Sequence, residues 1–414
     1  MTEYFNLISL IVIFIILIEV IFYVLVTFVR KHFQWMITSK DENPHFSEEG
    51  LDKFVPHGYD SELGWVRKPN TSGVDQNTFI SSKWTINSLG SRTNPDFDNK
   101  KSHISCYGDS FTFCRQVNND QTWEHYLSKS TNSNVLNFGV GNYGIDQSLL
   151  RLKREYEKNP TKIVIIGVVP DTISRIMSYW KHYYEYGNTF AFKPKFKIEN
   201  NVLKLLPNKV NDPKKFHSIN KILNEIKNED YFYKLKFLKE IIKFPYILHV
   251  LKNSKRNFKI IFWVLLLQFK KRNSADISSI EWNPMKPIME INLKWRISLY
   301  KNKNSLQLFT EILKEFVNFS KIHNFTPIFL LIPQKDDLIY IKNNYNFMNL
   351  FFKQISKISD LHVIDITSDF LNESNFDNLY SDDNEYGGHP NTKGNQLISK
   401  IVQNYLISKN FLDN

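Results

Sequence analysis

Two stretches carry side chains whose types suit joint chemistry. The first is "HISCYGDSFTFC", residues 103–114, in which a partly alternating apolar run meets Gly108, Asp109 and Ser110. The pattern reads as a strand giving way to a helix, a junction where a serine is exposed, backed by free backbone N–H groups and held still. Ser110 suits nucleophilic attack there, with its own N–H as an oxyanion donor at the positive end of the helix dipole. The second is "YGGHPNTKGN", residues 386–395, which sets His389 on a loop at the entrance of the closing helix, downstream of the strand in "LHVIDIT". A parallel sheet presents ligand-facing groups at that end, and a neutral imidazole takes a hydroxyl proton near pH 7. Taken singly, each has a blander meaning: Asp109 or Ser110 as a helix cap, His389 as an ordinary loop residue. Taken together, a hydroxyl, a base and backbone donors are the parts that nucleophilic catalysis by serine requires. The sequence has no HExxH, no paired CxxC and no phosphate-cradling loop, so neither a metal nor a cofactor is implied.

The elements that must position these groups alternate from Ser102 onward. "SHISCYG", "NVLNFGV" and "TKIVIIGVV" read as strands separated by the helices "TWEHYLSKS" and "DQSLLRLKREYEK". Later, "NSLQLFTEILKEFVNFSKIH" is helical, "TPIFLLIP" and "LHVIDIT" are strands, and "KGNQLISKIVQNYLISK" closes the chain as a helix. Near-continuous apolar strands alternating with helices predict an α/β fold whose parallel sheet is covered on both faces. Residues 37–60 read as a tether, and Gly, Pro and Asn punctuation up to residue 101 predicts a small β lead-in. "FKPKFKIENNVLKLLPN", residues 192–208, reads as a hairpin. The two cysteines, Cys106 and Cys114, flank the Gly-Asp-Ser and read as packing residues.

Residues 5–29, "FNLISLIVIFIILIEVIFYVLVTFV", carry one charge, Glu19, and match the ~20 apolar residues needed to cross a bilayer. No basic n-region precedes the run and no small-residue cleavage site follows it, so it reads as a transmembrane anchor rather than a signal peptide. Glu19 marks a helix partner or a snorkelling position. Arg30, Lys31 and Lys40 favour a cytoplasmic C-terminal domain by the positive-inside rule. The net charge of +11 is concentrated in residues 214–272, which hold 15 Lys and Arg against 4 Asp and Glu. This basic helical insertion, about 205–290, interrupts the α/β rhythm, and its apolar run Ile260–Leu267 is too short to span a membrane. Two readings fit it: amphipathic helices packed on the α/β body, or a surface lying against anionic headgroups. No nucleic-acid recognition motif accompanies the basic patch, so nucleic acid is not an expected partner.

The chemistry-bearing residues resemble the SGNH (GDSL-type) hydrolases over residues 102–184 and 304–406. "GDSFTFC" (108–114) is similar to that family's first block, GDSxTxG, with Cys114 in place of the last glycine. "NFGVGNYGIDQ" (137–147) is similar to the second block, and "GGHPNTKGN" (387–395) to the fifth. The resemblance implies a three-layer α/β/α, flavodoxin-like domain over 102–414, with Ser110 as nucleophile and His389 as base. It sets Asn142 where the family has an oxyanion-donating glycine. "GVVPDTISR" (167–175) departs from the third block, with Pro170 or Asp171 near the place of the donor asparagine, and Tyr386 stands where the acid is usual. Asp383, or else Glu385, can replace that acid from the same loop, or a backbone carbonyl can hold the imidazole. Arg175, after the third block, is a candidate for binding a substrate anion or for a surface pair. The implied activity is that of a serine esterase or O-acyltransferase on acyl, often acetyl, groups of carbohydrate or lipid, as in envelope or exported polysaccharide. By analogy with that family the domain faces outside the cytoplasm, against the lean of the flanking charges. The opposing reading is a tethered scaffold that binds glycan or an assembly partner through a degenerate site.

Overall fold

The computed structural model describes residues 2–76, 81–382, 385–386 and 388–412. In chain order its main elements are α1 (Thr2–His32), β1 (Ser102–Gly108), α2 (Trp123–Thr131), β2 (Asn134–Gly139), α3 (Ile145–Glu155), β3 (Ile163–Val168), α4 (Tyr246–Lys252), α5 (Ser254–Arg272), α6 (Lys303–His323), β4 (Thr326–Leu331), α7 (Lys335–Asn343), β5 (His362–Asp365) and α8 (Thr392–Ser408). The chain divides into two units. The larger comprises Ser47–Tyr179, Phe190–His217 and Leu293–Asn414, and the smaller Met1–Phe46, Trp180–Thr189 and Ser218–Asn292.

In the larger unit the five strands form one sheet in the order β5-β4-β3-β1-β2, every neighbouring pair parallel. Strands β2 and β3 are buried throughout, as expected of a sheet covered on both faces. Side chains alternate across it: Ile104 and Cys106 face a core shared with Trp123 and Leu127 of α2 and Ile398 and Val402 of α8. Tyr107, turned the other way, stacks on Phe138, and α3 packs with α6. The domain is therefore a three-layer α/β/α fold, with helices on both sides of a parallel sheet. Its strand order reverses between β1 and β3, so the loop after β1 lies at the crevice where such sheets bind ligands.

The predicted hairpin is present as antiparallel strands Lys195–Glu199 and Val202–Leu206. Short antiparallel pairs occupy the lead-in, Tyr59–Asp60 with Gly64–Trp65 and Ser72–Gln76 with Ser81–Thr85. Part of the segment read as a tether is helical: Glu48–His57, whose N-cap Ser47 accepts a hydrogen bond from the N–H of Gly50.

In the smaller unit, α1 is long and apolar enough to cross a membrane between Tyr4 and His32. The helices of the basic insertion pack there against α1: Val26 and Val29 share a core with Val250 of α4 and Ile260, Ile261 and Val264 of α5. Arg30 pairs with Asp41 at 2.5 Å and donates to the Tyr186 hydroxyl at 2.7 Å, tying the end of α1 to the segment after it.

Candidate active site

The site begins at the end of β1. The sequence predicts a helix opening at Ser110; the structure has a run of turns there, and the helix starts only at Trp123. The cause is non-local. Buried Arg92 donates to the carbonyls of Phe113, Cys114 and Val117 and through Nε to Asn119, taking up oxygens that a helix would have bonded internally. Cys114 and Gln116 have φ of 56° and 72°, a left-handed backbone that stops helix propagation. Cys114, standing where the resembling family has glycine, thus keeps a glycine-like conformation, and its thiol is buried against Glu124. With no helix at Ser110, a helix dipole is not available as the source of oxyanion stabilisation.

The turn is seated by close approach. A Cβ on Gly108 would stand 1.9 Å from the Gly167 carbonyl oxygen, and one on Gly139 2.3 Å from the Phe113 nitrogen, so only glycine lets the turn settle on the strand ends. Thr112 Oγ1 donates to the Gly167 carbonyl at 2.7 Å. Buried Asp109 accepts from the N–H of Phe111 at 2.8 Å, the N–H of Val169 at 2.9 Å and Arg175 Nη1 at 3.1 Å. Its carboxyl is raised by burial, against the pull of Arg175 and those two N–H groups. Asp109 is therefore the fixed floor under the neighbouring serine.

His389 arrives from the other end of the chain. Its carbonyl accepts from the N–H of Ser381 at 2.9 Å, Tyr380 bridges to Pro390, and Asn391 caps α8 by accepting from the Gly394 N–H. These contacts bring His389 Nε2 to 2.9 Å from Ser110 Oγ. Ser110 is buried, His389 half-buried, and the imidazole packs on Phe111 with ring centroids 4.8 Å apart.

The protonation state is set by one side chain that the motifs did not single out. Gln116 Oε1 lies 2.9 Å from the His389 backbone nitrogen and 3.1 Å from Nδ1. A backbone N–H only donates, so the amide atom facing it is the oxygen, and the same oxygen requires a proton on Nδ1. Nε2 then carries the lone pair and accepts from the Ser110 hydroxyl. Burial, and next the positive charges of Arg115 and Arg175, lower the His389 pKa to about 3, so the ring is neutral at physiological pH. Asp383, the sequence's candidate acid, lies outside the described residues, and Glu385 is exposed.

Asn142 sits beside Ser110 in the tight turn Val140–Tyr143, with φ of 69° and the N–H of Tyr143 bonded to the Val140 carbonyl. Asparagine is the side chain that best tolerates this left-handed backbone after glycine. A Cβ built on the adjacent Gly141 would stand 4.0 Å from Ser110 Cβ, which places the turn against the serine. In the third block, Pro170 accepts from the Tyr300 hydroxyl, and Asp171 is drawn into buried ion pairs with Arg175 and Arg296. Arg296 continues this network to Asp336 and Asp337 at the start of α7. Asp171 as a carboxylate cannot donate as an asparagine would. Arg175 is not a surface pair: it is buried, bonded to Asp109, Asp171 and the Tyr143 carbonyl.

No family model matches the chain, and no match was found among curated proteins. Among solved structures it is similar to a protein described as lipolytic, of the G-D-S-L family, from Desulfitobacterium hafniense DCB-2. The TM-score is 0.35 and the identity 11%, over 73% of this chain and 98% of that one. It is also similar to the acetyl xylan esterase AlAXEase, with a TM-score of 0.34 and 10% identity over the same shares of the two chains. At TM-scores this low, function has to be argued from the chain's own residues.

Proposed function

We propose that the chain is a membrane-anchored serine esterase or O-acyltransferase of the SGNH type. The observation that supports this most is the hydrogen bond from the Ser110 hydroxyl to His389 Nε2 at 2.9 Å, in the tautomer that Gln116 selects. In the reaction, His389 Nε2 takes the hydroxyl proton as Ser110 Oγ attacks the ester carbonyl. The tetrahedral oxyanion forms beside the Asn142 turn, with the Ser110 N–H as a donor. Its collapse breaks the bond to the leaving alkoxide, which receives the proton back from the imidazolium. Water gives hydrolysis of the acyl-enzyme, and a second hydroxyl gives transfer. Acetyl groups on envelope or exported polysaccharide are the substrates we assign, and α1 is the anchor that holds the enzyme at the membrane.

The experiment is hydrolysis of p-nitrophenyl acetate by the full chain in detergent. We expect activity in the native protein and background rates in Ser110→Ala and His389→Ala; equal rates in all three contradict the proposal. One observation favours the tethered-scaffold reading instead. Burial, and next the positive charges of Arg115 and Arg175, depress His389, and an imidazole titrating near 3 is a weak base. A folded native protein without activity decides for that reading.

A further inference from the structure

The smaller unit places a carboxylate, a helix start and an apolar surface together in a way that water does not explain. Glu19 of α1 accepts from the backbone N–H groups of Tyr246 at 2.6 Å and Ile247 at 3.2 Å, the first residues of α4. It therefore caps α4 from another helix, satisfying donors that every helix start leaves open. The basic residues Arg30, Lys31 and His32 mark the end of the apolar run on α1. Glu19 lies ten residues before Val29, about 15 Å along the helix axis, which is the middle of a ~30 Å hydrocarbon core if α1 spans it. The start of α4 then lies at that depth too, and a carboxylate and two N–H groups that satisfy one another are what such a depth demands.

Helix α5 has the matching surface. One face, Ile260, Ile261, Val264 and Leu267, is buried, the first three of these residues in the core shared with α1. The opposite face is also apolar: Phe258, Phe262, Leu265 and Phe269 recur at helical spacing and are exposed, Phe262 by 58% and Phe269 by 66%. A helix apolar all round is either enclosed by protein or set in lipid. Its exposed charges gather at the two ends, Lys255 at one and Lys270, Lys271 and Arg272 at the other; Arg256 is buried and faces Glu240, and the intervening Lys259 pairs with Glu290 at 3.3 Å. On α4, Leu248 and the preceding Phe244 extend the exposed apolar face. The segment is too short to span, and an exposed apolar run of that length beside a membrane helix suits a segment lying within one leaflet.

We infer that α4 and α5 form a helical hairpin lying within one leaflet of the bilayer against α1, with Phe258, Phe262, Leu265 and Phe269 facing acyl chains and Lys255, Lys270, Lys271 and Arg272 at the headgroups. This rests on α1 being a membrane anchor. It goes further than headgroup attraction, because the occupant of the apolar stripe is the hydrocarbon itself.

The test is spin-label accessibility in the full chain reconstituted in phosphatidylcholine–phosphatidylglycerol vesicles. Labels are placed by Phe262→Cys on the stripe, Ile13→Cys on α1 and Lys314→Cys on exposed α6; the native cysteines are buried and unlabelled wild type is the control. We expect the labels at 262 and 13 to collide more with oxygen than with a water-soluble nickel chelate, and the label at 314 to do the reverse. Nickel access at 262 with lipid exposure at 13 overturns the hairpin and leaves the anchor. Shielding of 262 from both reagents also overturns it, because protein then covers the stripe. Nickel access at both 13 and 262 defeats the anchor reading and the hairpin with it. Phe269→Cys, on the same stripe, repeats the measurement should Phe262→Cys fail to fold.

Discussion

His389 and Gln116 together make the sharpest residue-level expectation. A base lowered to about 3 is unprotonated, and so competent, at every pH well above that value. The acid limb of kcat/KM should therefore lie far below the ordinary histidine range near pH 6.5. A limb near 6.5 that disappears with His389→Ala contradicts the environment described for the ring. The sign for stability is related. The unfolded chain binds a proton on His389 between roughly pH 6.5 and 3 while the folded chain does not, so this residue makes stability fall as pH drops through that window. Replacing Gln116 by glutamate sets a carboxylate against Nδ1–H, and we expect the acid limb to rise by about 1–3 units. Gln116→Ala removes the group that fixes the tautomer and should lower kcat by about 10-fold or more with KM little changed. An unchanged profile in both variants shows that Gln116 does not position the base.

At the scale of elements, the turn after β1 depends on Arg92. Arg92→Met leaves the carbonyls of Phe113, Cys114 and Val117 without their donor in the interior, at about 1 kcal/mol or more for each. We expect a large fall in thermal midpoint together with lost activity; native stability in this variant contradicts the role given to Arg92. This turn also marks where the sequence stopped being legible. The strands and α8 could be read because burial and period leave local traces: "IVIIGV" is apolar throughout, and Asn391 precedes α8 as a cap. Ser110 and His389 stood out through their local motifs. The turn at 110–117 could not be read, because the group that displaces the helix, Arg92, precedes it by a strand and a loop. Gln116 could not be read either: its partner is 273 residues away and no spacing announces it. Arg175 read from sequence as an anion binder or one half of a surface pair, and only the fold closes Asp109 and Asp171 around it.

Across the whole molecule, charge and apolar surface are partitioned between the two units. The excess positive charge belongs to residues 214–272, nearly all of which lie in the smaller unit with α1. Glu19, the single acid of the apolar run 5–29 and legible from sequence as unusual, has its explanation only in three dimensions, as the cap of α4. Glu19→Leu keeps α1 apolar but strips α4 of that cap, and we expect about 1–2 kcal/mol of destabilisation in detergent. A thermal midpoint equal to the native one contradicts the capping role. The parallel sheet, by contrast, brings together at its switch point Ser110 and His389, 279 residues apart in the chain.

The most direct measurement of the central claim is intact-mass analysis after reaction of the folded full chain with a fluorophosphonate probe. One adduct is expected, mapped to Ser110, lost in Ser110→Ala and slowed strongly in His389→Ala. A well-folded native chain that takes up no probe, or an adduct that persists in Ser110→Ala, contradicts that claim.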